Sequence, residues 1–188
     1  MTRRPRVAPL GAAAAVVLLA VWAGAGVAQT QPPARPPDIF YVPTPQPVAD
    51  RMLQLAGVGP RDVVYDLGSG DRRLVVIAAQ KYGARGVGIE IDPDLVARAR
   101  AIAVEGGVAD RVTFVEGDLL TADVSEATVV TLYLGTSLMR EVGPRLRAAL
   151  RPGARIVSHQ YRFSRWPPDE TAVVDGREIF LWRIPAPR

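Results

Sequence analysis

The sequence predicts an α/β fold, a Rossmann-like, doubly wound and mostly parallel sheet of seven strands with an antiparallel hairpin at its C-terminal end. Short apolar runs rich in β-branched residues alternate with amphipathic segments of helical length. A glycine-rich turn, DLGSGDRR at residues 66–73, follows the first of these runs. The last two runs have no helix between them and are separated by Asp175-Gly176, a typical hairpin turn.

The alternation predicts the order of the elements. The first helix is expected to start at Thr44, with the threonine hydroxyl as its cap and Pro45 as its first residue. Further helices are predicted at residues 72–82, 93–104 and 137–150, the second of them with Asp92 as its N-cap. Strands are predicted at 63–65, 86–90, 112–115, 128–134, 154–158, 171–174 and 178–184. Most of these strands are apolar on both faces, which indicates a parallel sheet covered by helices.

The N-terminal segment differs from the rest of the chain. Residues 1–28 contain three arginines, then a long apolar run, then small residues, which is typical of a secretory signal peptide. The run nearly reaches the roughly 20 residues that span a bilayer, so an uncleaved membrane anchor is the alternative. Residues 29–37 are a proline-rich linker, and residues 38–188 form the folded domain. Either alternative places the domain outside the cytoplasm, exported to the periplasm or anchored at the inner membrane.

Composition excludes several kinds of chemistry. The 188 residues include no cysteine and one histidine, so no thiolate nucleophile, disulfide or metal site is predicted. The formal charge is +4, and removing the three arginines of the leader leaves 4 − 3 = +1. Because no basic stripe with interleaved aromatic residues accompanies this charge, a nucleic-acid partner is not expected.

Acidic residues follow the first three predicted strands, at the edge where doubly wound sheets bind ligands. Asp66, with Gly68 and Gly70, follows the first strand, Glu90 the second and Asp118 the third. Glu90 lies 20 residues beyond Gly70, the spacing at which a carboxylate accepts the hydroxyls of a ribose. A solvated strand end for Glu90, and a turn or cap for Asp118, are the structural alternatives.

Two nucleotide cofactors are compatible with this edge. A dinucleotide is disfavoured because Asp71 would repel its pyrophosphate and Arg73 stands at the register of the third glycine. S-adenosylmethionine has no phosphate, and its ammonium group suits a carboxylate such as Asp66. Asp118 would accept a hydrogen bond from the adenine amino group. The residues therefore favour S-adenosylmethionine.

These motifs resemble those of the class I, seven-strand S-adenosylmethionine-dependent methyltransferases. The shared motifs are DLGSGD at residues 66–71, VGIE at 87–90, EGD at 116–118 and the closing hairpin. Residues 41–45, 127–134 and 153–159 are similar to the small protein-lysine methyltransferases related to the mitochondrial enzymes that modify the adenine nucleotide translocase and the ATP synthase c-ring protein.

The resemblance implies methyl transfer from S-adenosylmethionine to a lysine of a protein substrate. It also implies that Tyr41 and Thr44 cover the methionine end of the cofactor and that Tyr133 faces the methyl group. A linker anchor, a helix cap and a core aromatic are the respective structural alternatives. His159, the single histidine, ends the fifth strand on the same edge, as a structural residue or as a proton acceptor.

The sequence departs from the family at two places. Arg72 stands where relatives usually have glycine, and LGTS at residues 134–137 replaces a segment that normally contains proline and acidic residues. A noncatalytic S-adenosylmethionine-binding or interaction domain is therefore the alternative function, and an NAD-dependent oxidoreductase is a further one.

Overall fold

Eleven helices and strands follow one another in the part of the chain that the computed structural model describes, residues 43–70 and 72–186. They are α1 (Gln46–Leu55), β1 (Val63–Leu67), α2 (Arg73–Tyr82), β2 (Arg85–Glu90), α3 (Pro93–Glu105), β3 (Val112–Glu116), β4 (Val129–Leu132), α4 (Thr136–Ala149), β5 (Arg155–His159), β6 (Glu170–Val174) and β7 (Arg177–Arg183). The predicted leader and linker, together with Tyr41 and Asp71, lie outside the described residues.

The seven strands form one sheet in the order β3-β2-β1-β4-β5-β7-β6. Strands β1 to β5 are parallel, and β7 is antiparallel to both of its neighbours, β5 and β6. This confirms the predicted fold. The chain reverses its direction of winding between β1 and β4, and in sheets of this kind the crevice at that reversal, beyond the carboxyl ends of the strands, binds ligands. We call this side of the sheet the carboxyl edge.

Strand side chains alternate between two packed layers. Val64 and Val129 belong to the core under α1, α2 and α3, whereas Leu67 and Leu132 belong to the core under α4. The connection from β3 to β4 contains turns in place of a helix, and Val124 from this connection is fully buried against the α4 layer. One face of the sheet is thus covered by three helices and the other by α4 and loops.

The start of α1 differs from the prediction. Pro45, and not Thr44, is the N-cap residue, and α1 has no side-chain cap. Pro45 has an extended backbone with ψ 145°, and its carbonyl accepts a hydrogen bond from Ala49 N–H at 2.9 Å. Because that carbonyl begins the helical hydrogen bonds, the predicted capping role of the Thr44 hydroxyl is wrong.

Two other local predictions are confirmed. Asp92 caps α3, since its Oδ1 accepts hydrogen bonds from Asp94 N–H at 2.8 Å and Leu95 N–H at 3.4 Å. Asp175 and Gly176 both have positive φ, 50° and 73°, which is the backbone of a two-residue hairpin turn whose twist matches the strands. Across residues 43–70 and 72–186, the structure contains no helix of the length and apolarity that a membrane span requires.

A half-buried polar cluster joins the amino ends of the central strands, on the side opposite the carboxyl edge. Thr128 Oγ1 donates to Asp62 Oδ1 at 2.7 Å, and Arg155 donates to the same carboxylate and to the Ala56 carbonyl. Burial alone would raise the pKa of Asp62, but the hydrogen bonds from Thr128 and Gly59 and the charge of Arg155 together lower it. This cluster stabilises the fold away from the candidate site.

Candidate functional site

The glycine-rich turn after β1 requires a residue without a side chain at Gly68. Gly68 has φ +74°, and a Cβ added there would lie 3.2 Å from a methyl group of Leu134 and 3.7 Å from one of Leu119. Gly70 also has positive φ, 42°. The two glycines therefore let the backbone turn sharply at the carboxyl edge while the two leucines pack beside it.

The described amide groups of this turn are used within the chain. Gly68 and Ser69 N–H both donate to the Ile89 carbonyl at 2.9 Å, and Arg72 N–H donates to the Ser69 carbonyl at 2.6 Å. Gly70 N–H donates to a carboxylate oxygen, Oε2 of Glu90, at 2.8 Å. Turns that cradle phosphate point such N–H groups at the ligand. The hydrogen bonding here therefore argues against a pyrophosphate cofactor.

Glu90, at the end of β2, is almost fully buried, with 9% of its surface exposed. Besides the bond from Gly70, its Oε1 accepts from Ile91 N–H at 2.8 Å and from Asp92 N–H at 3.1 Å. A carboxylate has about four acceptor positions, so three bonds fix its orientation and leave about one for a donor such as a hydroxyl. Glu90 thus lies at the edge in a fixed orientation, and its binding of ribose hydroxyls stays a prediction.

Asp66 lies in β1 directly before the turn and is also buried. Its Oδ1 accepts a hydrogen bond from Thr131 Oγ1 of the adjacent strand β4 at 2.5 Å, which fixes the orientation of the carboxylate. A negatively charged, oriented group at this position suits a ligand that carries a positive charge.

Asp118 follows β3 and forms a local turn. Its Oδ1 accepts from Leu120 N–H at 2.8 Å, and its carbonyl accepts from Thr121 N–H at 3.0 Å. The turn role that was the structural alternative for Asp118 is therefore correct for its Oδ1. The other oxygen, Oδ2, accepts no hydrogen bond from the described residues, so both roles are compatible.

Arg73 joins the segment that precedes α1 to the start of α2. Its Nη1 donates to the Thr44 carbonyl at 2.7 Å, and Thr44 itself is 6% exposed. The register that holds a third glycine in dinucleotide folds is thus occupied here by a side chain that ties Thr44 next to the turn. Sequence reasoning missed this contact because no local pattern pairs residues 29 positions apart.

Arg72 has a strained backbone conformation. It precedes α2 with φ 60° and ψ 4°, a left-handed backbone that residues other than glycine rarely adopt. Only 7% of its surface is exposed, and its Nε and Nη1 are buried without a hydrogen-bond partner among residues 43–70 and 72–186. The left-handed backbone and the burial of the guanidinium each lower the stability of the folded state.

An aromatic cluster lies past the ends of β4 and β5. The rings of Tyr133 and His159 have centroids 4.0 Å apart and an angle of 32°, and Tyr161 lies 6.1 Å from Tyr133. Tyr133 and Tyr161 are partly exposed, whereas His159 is fully buried beneath them. The next residue, Gln160, has φ 66°, so the chain turns sharply here. Tyr133 was predicted as a site residue, and its support by His159 was not.

His159 is a neutral group at physiological pH. Burial, with a smaller contribution from the charge of Arg177, lowers the pKa of His159 from 6.5 to about 4. Both of its ring nitrogens are buried and accept or donate no hydrogen bond within the described residues. Its fully buried ring supports Tyr133 and is not accessible to a substrate, which favours the structural role.

The structure brings most of the predicted residues to one place. Those at or next to the carboxyl edge are Thr44, Asp66, Gly68, Gly70, Glu90, Asp118 and Tyr133. The edge thus presents buried, oriented carboxylates and a glycine turn, next to a partly exposed tyrosine. Such an arrangement can hold a cationic ligand that carries hydroxyl groups.

Comparison with known proteins agrees with this geometry. A crystal structure described as an RNA methyltransferase from Salinibacter ruber, in complex with S-adenosyl-L-homocysteine, is 56% identical in sequence. It has a TM-score of 0.76 and matches 78% of this chain and 96% of that one. A protein-lysine N-methyltransferase of Saccharolobus islandicus is 41% identical over 153 residues, which are 79% of this chain and 95% of that protein.

Longer relatives match over less of their length. The Mus musculus lysine N-methyltransferase that is named for the C subunit of ATP synthase is 35% identical, and the match covers 59% of this chain and 44% of that protein. Residues 66–170, more than half of the chain, match the family described as the ANTKMT methyltransferase domain. The chain therefore belongs to the ANTKMT methyltransferase family.

Proposed function

We propose that this protein is an S-adenosylmethionine-dependent methyltransferase that methylates a lysine of a protein substrate. The observation that carries the proposal is the carboxyl edge, where Asp66 and Glu90 are buried and oriented while the turn amides are already used. The Saccharolobus islandicus relative, which is named a protein-lysine N-methyltransferase and is matched over almost its whole length, supports the choice of acceptor.

The residues at the edge fit S-adenosylmethionine. Glu90 would accept from the ribose hydroxyls and Asp118 Oδ2 from the adenine amino group. Asp66, held by Thr131, would face the ammonium of the methionine end, where its charge is favourable. Gly68 and Gly70 would give room for the cofactor, and Thr44, tied down by Arg73, would cover the methionine end together with Tyr41.

The chain contributes mainly positioning to the reaction. When bound, the cofactor supplies a methyl group on a positively charged sulfur. Tyr133, the partly exposed residue after β4, would orient the acceptor amine, and His159 would hold the tyrosine ring from below. A lysine amine has a pKa of about 10.4 and must lose its proton before it attacks. No residue has to receive that proton directly, because the partly exposed cluster leaves solvent available.

The proposal is tested by binding and by product analysis. Calorimetry with S-adenosylmethionine, S-adenosylhomocysteine and NAD is expected to detect the first two ligands and not the third. Incubation with radiolabelled S-adenosylmethionine and a cell lysate is expected to yield methyl-lysine after acid hydrolysis of the protein fraction. Lack of binding of the first two ligands would overturn the proposal. Binding without transfer to any fraction would favour the noncatalytic alternative.

An RNA acceptor is the second candidate, because the Salinibacter ruber structure that is 56% identical is described as an RNA methyltransferase. The same labelling experiment separates the two candidates. Label in a protease-resistant, ribonuclease-sensitive fraction, released as a methylated nucleoside, would support RNA and contradict the lysine assignment.

We further propose that residues 1–28 direct the domain to the periplasm or anchor it at the inner membrane. The proposal is supported by their basic start, apolar run and small-residue end. N-terminal sequencing of the protein from soluble and membrane fractions tests it. A chain that starts at residue 1 in the soluble cytoplasmic fraction would contradict both forms of the proposal.

A further inference from the structure

A groove of about 870 Å³ lies between α4 and the segment that follows β5. Residues 139–148 form one wall and residues 163–166 the other. At a rise of 1.5 Å per residue the helical wall is roughly 13 Å long, the length of about four residues of extended peptide. Along the chain, the two walls begin a few residues beyond Tyr133 and Tyr161, the two tyrosines of the aromatic cluster.

The groove is positively charged. Arg140, Arg147 and Arg165 line it and are exposed, no acidic residue lines it, and none of the three forms an ion pair within the described residues. The N-terminal end of α4 lies at the end of the groove where the helical wall begins, at Met139. Its N-cap, Gly135, provides no side-chain cap, and its first turn contains no acidic residue, so the positive end of the helix dipole is not compensated. The groove thus favours a negatively charged partner.

The aromatic wall favours carboxylates over nucleobases. The Phe163 and Trp166 rings are stacked, with centroids 5.3 Å apart and an angle of 15°. The Arg147 guanidinium lies over the Trp166 ring, 5.2 Å from its centroid. A base that stacked on Trp166 would compete with these contacts. A guanidinium held on an aromatic ring keeps its N–H edge available, and that edge matches a carboxylate.

The helical wall also offers a hydrogen-bond acceptor. Pro144 lies inside α4 and has no N–H group, so the Arg140 carbonyl lacks its usual partner four residues later. An extended peptide supplies an N–H donor at nearly every residue of its backbone, whereas the RNA backbone supplies donors only through its 2′-hydroxyl groups. The acceptor therefore favours a polypeptide.

We propose that this groove docks an extended, acidic segment of the acceptor protein, next to the lysine that is methylated. This inference rests on the proposed function. The segment would run from the aromatic cluster along α4, with its carboxylates on Arg140, Arg147 and Arg165 and its backbone against the helical wall. The groove would then select substrates by the charge beside the lysine.

Fluorescence anisotropy with the full chain tests the inference. The probes are a labelled peptide with one lysine followed by glutamates, the same peptide with glutamines, and a single-stranded RNA of similar length. The groove variant is Arg140→Gln/Arg165→Gln, and the control variant is Arg61→Gln/Arg98→Gln, which removes two exposed arginines outside the groove. Circular dichroism checks that both variants are folded, and calorimetry measures S-adenosylmethionine affinity.

The glutamate peptide is expected to bind more tightly than the glutamine peptide, and the groove variant is expected to lose about tenfold of that affinity. The control variant should match the wild type, and both variants should keep their cofactor affinity. Equal binding of the two peptides, or equal losses in the two variants, would overturn the inference. Preferential binding of the RNA through the groove arginines would overturn it as well. These binding results are independent of methyl transfer, so failure of the proposed function is detected separately by the labelling experiment.

Discussion

Replacing Arg72 with glycine tests whether this residue of the turn destabilises the fold or binds the cofactor. Arg72 has a left-handed backbone, with φ 60°, and two of its guanidinium nitrogens are buried with no partner in the part of the chain that the structure describes. Glycine adopts this backbone without steric cost and carries no buried charge. We therefore expect Arg72→Gly to be tolerated and to keep or strengthen S-adenosylmethionine binding.

The magnitude follows from opposing contributions. A left-handed backbone costs a residue with a side chain roughly 1–2 kcal/mol, and buried donors without partners cost roughly 1–3 kcal/mol. Against this, the substitution removes three buried methylene groups of arginine, each worth about 0.8 kcal/mol of stability. The greater flexibility of glycine in the unfolded chain lowers stability further, by about 0.5–1 kcal/mol. The net change lies between a loss of about 1.4 kcal/mol and a gain of about 2 kcal/mol, so the substitution is close to neutral for stability. Arg72→Ala removes the same guanidinium but keeps the backbone strain. After the flexibility cost of glycine is subtracted, Arg72→Ala should be less stable than Arg72→Gly by up to about 1.5 kcal/mol.

Thermal and chemical unfolding measure these differences, and calorimetry measures the affinity. Gln160, which is exposed and has φ 66°, is a matched position, and its Gly and Ala variants should differ by a similar amount. An Arg72→Gly variant that is less stable than Arg72→Ala would refute the strain argument. A loss of affinity of about tenfold or more, or about 1.4 kcal/mol, would show that the guanidinium holds the cofactor.

Three further residues give measurable outcomes. Glu90→Gln should weaken S-adenosylmethionine binding about tenfold or more, because a charge-assisted hydrogen bond is worth roughly 1.5–3 kcal/mol. The control, Glu116→Gln at the end of the neighbouring strand, should leave the affinity unchanged. Equal affinities of the two variants by calorimetry would contradict the ribose assignment of Glu90. Asp62→Asn should lower the free energy of unfolding by about 1–3 kcal/mol in urea and leave cofactor affinity unchanged, since Asp62 lies at the opposite edge. The pKa of His159 is about 4 in the folded protein and 6.5 in the unfolded chain, so the unfolded chain binds a proton first as the pH drops. The free energy of unfolding therefore decreases between pH 6.5 and pH 4, by up to about 3 kcal/mol. His159→Phe keeps a ring next to Tyr133 without titrating and should remove this loss, and an unchanged acid slope in that variant would refute the assignment.

Features that follow from local pattern were predictable from the sequence. Asp92 caps α3 because a short acidic side chain before proline satisfies the first free amides of a helix, and that signal is contained in a few neighbouring residues. The Asp175-Gly176 hairpin is equally local. Glu90 was found at the edge because parallel strands align their carboxyl ends, so the strand order alone brings it next to the turn.

Features that depend on distant pairing were not predictable. The local pattern predicts a helix cap at Thr44, but the Thr44 carbonyl binds Arg73, and this contact exists only once α1 and α2 are packed together. Tyr133 and His159 follow or end adjacent strands whose registers the sequence does not show. The place of Trp166 in the wall of a charged groove depends on how the loop after β5 meets α4.

This difference between local and long-range features explains why the sequence specifies the cofactor more fully than the methyl acceptor. The cofactor edge is built from strand ends and their tight turns, whose positions follow from the sheet. The proposed acceptor side consists of residues 134–137, the turn at Gln160 and the α4 groove, and the strand pattern constrains none of these. Exchanging residues in the groove should therefore change the preferred acceptor while S-adenosylmethionine affinity stays the same.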